Sequence, residues 1–143
     1  MKKFSFSLEK VLNMRTFEKK QAENELAEAL QKEREIKNQI EELAQKRVES
    51  IKIAEDSRDF MLNVKNVQYL NFLEQKTQIL LEELTSAQLI TEEKRKILLE
   101  KIKNEKVLEK LKEKRKEQWK IEVKKDEAKE LDDISTSLFG RKN

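Results

Sequence analysis

Residues 55–66 read EDSRDFMLNVKN, and whether the chain turns here or runs on as helix decides the fold. Asp, Ser and Asn hydrogen-bond their own backbone and favour turns, and they cluster in this stretch. Upstream, Leu26, Ala29, Glu33, Ile36, Ile40, Leu43 and Arg47 step by alternating threes and fours. Downstream, Leu70, Leu73, Thr77, Leu80, Leu84, Ala87, Thr91, Lys94 and Leu98 do the same. That 3.5-residue spacing is the buried seam of a left-handed coiled coil, and each seam needs a facing partner. A turn over about 56–65 supplies one within a single chain. The expected fold is therefore all-α, a long two-helix antiparallel coiled-coil hairpin. Helix one covers about 8–55, helix two about 66–138, and residues 1–143 form one domain. The rival arrangement is one continuous helix that dimerises in parallel, because no Pro and only one Gly, Gly140, are present to enforce a turn.

The hairpin fixes a register. In an antiparallel pair, facing positions have a constant sum, and Ile40 with Leu80, Ile36 with Leu84, Leu43 with Thr77 and Leu12 with Leu108 all give 120. A slip of one heptad preserves the seam. With this register the N-terminal residues reach only to about position 119, so the second helix, roughly 110 Å long, overhangs the first, roughly 70 Å long. A lone helix of about 20 residues is marginal in water. The pairs Glu109 with Lys112, Glu113 with Lys116 and Glu117 with Lys120 support the overhang, and a partner protein would support it further.

Composition agrees with helix and excludes several functions. Of 143 residues, 43% are charged and 36% hydrophobic, which leaves little for a deep globular core. Such charge is also compatible with disorder, but 32 basic and 29 acidic residues nearly cancel and the apolar residues keep helical spacing. There is no Cys and no His, hence no disulfide framework, no thiolate metal site and none of the commonest zinc ligand or general base. With no phosphate loop or pocket either, the expectation is a non-enzymatic protein without cofactor or metal. The start, MKKFSFSLEK, opens like a signal peptide, but Ser5, Ser7 and Glu9 break the apolar stretch. No run suggests a membrane span, and a soluble, cytoplasmic protein is expected.

Charge and aromatics locate candidate surfaces. Residues 101–125 carry eleven basic and five acidic side chains, and residues 1–20 carry six and two. An acidic patch of Asp126, Glu127, Glu130, Asp132 and Asp133 follows. Lys alternates with Glu around the basic helix and only one aromatic, Trp119, lies among them, so no continuous phosphate-tracking face forms and nucleic acid is not the expected partner. A solvated, charge-compensated helix is the plainer reading of that run. Trp119 has two readings, a cap packed on Phe4, Phe6 or Leu8, or an exposed anchor for another protein. A second apolar line, Tyr69, Phe72, Ile79, Ile90 and Ile97, lies off the seam, either packed on the hairpin's shoulders or free for docking.

Three stretches together resemble one family: FSFSLEKVLNMRTFEKKQAENELAEA at 4–29, NVQYLNFLEQ at 66–75, and EKLKEKRKEQWKIEVKKDEAKELDDISTSLFGRK at 109–142. They are similar to FliJ, a small component of the flagellar type III export apparatus, and the similarity covers nearly the whole chain. The resemblance implies a two-helix antiparallel coiled coil like the central stalk of rotary ATPases. It implies insertion in the ring of the export ATPase FliI, contact with the export-gate protein FlhA, and engagement of export chaperones, with peripheral association at the membrane-bound gate. By the same resemblance Leu8, Val11, Leu12 and Trp119, with Leu131, Asp132, Asp133 and Phe139 at the far end, are candidates for ring contact, and Tyr69, Phe72 and Ile79 for gate contact. On the gate face this chain carries Lys76 and Glu83, where the family pattern is more apolar or neutral. A virulence-type stalk and a generic coiled-coil scaffold are the alternatives.

Overall fold

The computed structural model describes residues 3–141, with the side chain of Arg141 outside the description. The chain forms an all-α helical hairpin of two long helices, α1 (Glu9–Asp56, 48 residues) and α2 (Phe60–Arg141, 82 residues). No strand occurs among the described residues. The hairpin divides into two compact units, Met1–Lys19 with Glu100–Asn143, and Lys20–Leu99.

The bend is shorter than the expected 56–65. Only residues 57–59 leave the helical conformation, and α2 begins at Phe60 instead of near 66. Asp59 accounts for the difference. Its Oδ1 accepts a hydrogen bond from the Met61 N–H at 3.0 Å, the N-cap geometry that satisfies one of the free donors of a helix's first turn. Ser57 Oγ accepts from the Asp59 N–H at 3.2 Å, and the Ser57 N–H donates to the Ile53 carbonyl at 3.1 Å as α1 ends. The reversal uses no positive φ among the described residues, so neither Gly nor Pro is required.

Burial in the Lys20–Leu99 unit follows the three-and-four alternation. On α1, Ala22 and Ile36 are buried and Leu26, Ala29, Glu33, Ile40 and Leu43 half-buried; on α2, Leu73, Ala87 and Thr91 are buried. Leu73 is the most enclosed, at 2% exposure. Arg47, expected on the seam, is exposed, and Ser50 takes the next inward position. Thr77 and Thr91 are tolerated on the seam because each hydroxyl donates to the carbonyl one turn back, Leu73 O at 2.8 Å and Ala87 O at 3.0 Å. The ion pair Glu25 Oε2 to Lys94 Nζ, 3.1 Å, ties the helices on the flank.

In the other unit Lys101, Glu105, Leu108 and Lys112 of α2 are buried or half-buried, as are Phe6, Leu12 and Lys19, and Lys19 pairs with Glu105. The pairs Glu18 with Lys101 at 3.2 Å and Glu9 with Lys112 at 2.9 Å run in opposite order along the two helices and keep the facing sum at about 120, the antiparallel register. No described residue from Lys124 to Gly140 is even half-buried.

Candidate functional site

The grooves among the described residues are open and shallow, so the functional residues are sought on surfaces. Three regions stand out: the N-terminal lead against α2, the bare C-terminal stretch of α2, and the off-seam line on α2.

The first is a packed cluster. Residues 3–6 lead through a turn at 7–8 into α1, whose start is tied by the Glu9 N–H to the Phe6 carbonyl at 3.1 Å and the Leu12 N–H to the Leu8 carbonyl at 2.9 Å. Phe6 and Leu12 are buried, Leu8 is half-buried and Val11 exposed. Trp119 sits with its ring centroid 5.8 Å from that of Phe4, tilted by 54°. Of its two readings the cap is the one realised, and the tryptophan is half-buried. The guanidinium of Arg115 lies 5.7 Å over the Phe6 ring and donates to Ser7 Oγ at 2.9 Å, a cation held on an aromatic face by a second contact.

Ion pairs tie α1 to α2 further along the same unit. Lys19 Nζ meets Glu105 Oε1 at 2.8 Å, and the carboxylate side chain is 8% exposed. The Lys19 hydrogen bond holds the Glu105 carboxyl below its ordinary range against the opposing effect of burial. Lys101 does the same for Glu18, which Arg15 also approaches at 3.4 Å. Lys101 and Lys112, members of the basic run, are thus engaged with α1 carboxylates.

The second region is the end of α2. Leu131, Asp132, Asp133 and Phe139 are all exposed, and the structure brings none of them to the Trp119 cluster. Sequence reasoning missed Ile134 and Leu138, also exposed. The signal was present: with Leu131 they step by three and four, which places them on one helical face. The Thr136 hydroxyl donates to the Asp132 carbonyl at 2.9 Å, one turn back on the same helix.

The third region belongs to the Lys20–Leu99 unit. Tyr69, Phe72, Ile79 and Ile90 are exposed, while Ile97 is half-buried. Ile79 lies in a shallow groove between the helices with Ile36, Glu83, Ala87 and Ile90. Lys76 places its ammonium 5.1 Å over the Phe72 ring, covering one aromatic face. A protein docking there must displace Lys76 or bind around it. Glu83, the other departure noted in the sequence, lines the same groove.

No described helix is long and apolar enough to cross a membrane. No group of three or more acidic residues arranged to hold a metal ion occurs among the described residues. A family model described as flagellar FliJ protein matches residues 4–143. No curated protein and no solved structure matches the chain.

Proposed function

The chain belongs to the flagellar FliJ family, and from that premise we propose that it is a non-enzymatic stalk of the flagellar type III export apparatus, coupling the export ATPase ring to the export gate and engaging export chaperones. The observation that carries this reading is the bare stretch of α2 beyond Val123. A helix with no facing helix and with Leu131, Ile134, Leu138 and Phe139 in solvent retains surface that association would bury. In this reading Leu131, Asp132, Asp133 and Phe139 meet the ring of the ATPase FliI directly. Leu8, Val11 and Trp119 form the adjoining surface, and buried Leu12 holds that surface in place. Tyr69, Phe72 and Ile79 receive the gate protein FlhA, and the chain works in the cytoplasm, held at the membrane only through the gate.

The mechanical logic is that of a coupler. Long helices joined by one bend transmit displacement along their axes because a helix is stiff in its backbone hydrogen bonds, while its exposed faces stay free for different partners. The experiment is a titration of the purified full chain into the purified export ATPase, followed by ATP hydrolysis. Hydrolysis should rise and saturate, and Leu131→Ala with Phe139→Ala should weaken the response. An ATPase rate unaffected at saturating protein would remove the stalk reading.

A further inference from the structure

The bend of the Lys20–Leu99 unit inverts the pattern kept elsewhere in that unit. Inside, Ser50 is 5% exposed and its hydroxyl has no hydrogen-bond partner among the described residues; Asn63 Oδ1 and Asn66 Nδ2 are buried and unpartnered in the same way. Outside, Phe60 is 76% exposed and Met61 64%, with Leu62, Val64 and Val67 beside them. Buried polar atoms without partners and solvated large apolar groups each cost free energy in the isolated chain. The electrostatics break a rule as well. Glu55 and Asp56 end α1, whose last turn contains no basic residue, so acid stands at the negative end of the helix dipole. Breaches of several rules at one place mark sites that answer to something outside the fold.

The geometry restricts what that something is. Phe60, Met61 and Leu62 are consecutive on a helix, at about 100° intervals, and so girdle most of its first turn. A flat surface would cover one of them; a socket covers all three. A bilayer with anionic headgroups is repelled by Glu55, Asp56 and Asp59, against which only Arg58 stands in residues 55–59. A second copy of this chain would bring the same acids face to face. We propose that the bend is a docking plug for a protein site of defined chemistry, an apolar socket rimmed by Lys or Arg. Phe60 and Met61 fill the socket, and the rim neutralises Glu55 and Asp56.

The test uses the full chain in its own cells with a photo-crosslinking amino acid at position 60, and at the exposed position 23 as control, the products being mapped by mass spectrometry. One protein should be captured, through a peptide in which apolar residues neighbour Lys or Arg. The yield should fall about tenfold when Glu55→Lys and Asp56→Lys are combined, as for charges at a rim. Crosslinking to a second copy, to lipid, or at no more than the position-23 level would overturn the proposal, as would a yield indifferent to charge reversal. Phe60→Ser with Met61→Ser should leave the melting temperature unchanged and abolish capture; a marked drop in melting temperature would show that these side chains belong to the packed fold. ATPase stimulation by the same variants separates the two readings. Capture can fail while stimulation persists, and stimulation can be absent while the bend still finds its socket.

Discussion

Lys19 Nζ lies 2.8 Å from Glu105 Oε1 at the centre of a seam position where an apolar residue would ordinarily sit. A carboxylate that loses water on burial depends on its partner for charge compensation. Because the partner holds the Glu105 carboxyl below its ordinary value of 4.5, the folded state binds its proton more weakly than the unfolded chain does. The stabilisation is fully present above the unfolded value and is lost as pH falls through the depressed folded value. Glu18, held down by Lys101, contributes with the same sign. The urea midpoint should therefore decline from pH 6 towards pH 3, and Glu105→Gln should flatten that decline while lowering the midpoint at neutral pH. An unchanged pH profile in the variant would show that the pair carries none of it.

Adjacent residues on α2 should behave in opposite ways. Leu73 is 2% exposed on the seam, whereas Phe72 is 50% exposed beside it. Leu73→Ala opens a cavity between two helices and should cost about 2–5 kcal/mol in chemical denaturation. Phe72→Ala removes an exposed off-seam ring with Lys76 over its face and should change stability by less than about 0.5 kcal/mol. Binding to the isolated cytoplasmic part of the gate protein should respond in the reverse order, with Phe72→Ala the more damaging.

The seam was readable because a helix that buries one stripe repeats its apolar residues at three and four, and burial follows that stripe from Leu26 to Leu43 and from Leu70 to Leu98. The bend's place was readable in its Asp and Ser cluster, but its length was not. One capping hydrogen bond from Met61 to Asp59 let α2 start six residues early, and composition does not report which Asp caps. Arg47 kept the spacing of the seam while staying in solvent, since spacing alone does not distinguish a buried position from one filled by a long charged side chain. Trp119 fitted two environments equally until Phe4 was seen against it. The exposed positions of Tyr69, Phe72 and Ile79 were legible as off-seam, whereas the inverted bend was not: apolar residues in a sequence read as core unless something outside shows where they point.

Trp119 is the sole tryptophan, so its fluorescence reports on one contact. Phe4→Ala should shift its emission to longer wavelength as the half-buried indole gains water. The loss of a tilted aromatic pair should lower stability by about 0.5–1.5 kcal/mol. Arg115→Ala, which frees Phe6 and Ser7 but leaves Phe4 in place, should alter the emission less. An emission spectrum identical in wild type and Phe4→Ala would mean that the two rings do not meet in solution.

Removing residues 124–143 tests whether the end of α2 is built for itself or for another molecule. None of the described residues from Lys124 to Gly140 is buried or half-buried, whereas the Phe4 and Trp119 contact and the Glu9 to Lys112 ion pair lie before the cut. The truncated chain should keep its cooperative melt within about 2 °C, since the transition is set by the area buried between the helices. Its far-ultraviolet helical signal should fall by roughly the contribution of the residues removed, because in the free protein the stretch is held mainly by helix propensity and local pairs. Stimulation of the ATPase should be lost with it, as Leu131 and Phe139 go. A melting temperature lowered by about 10 °C or more would place this stretch against the hairpin or against a second chain, and the surface assigned to the ring would already be occupied.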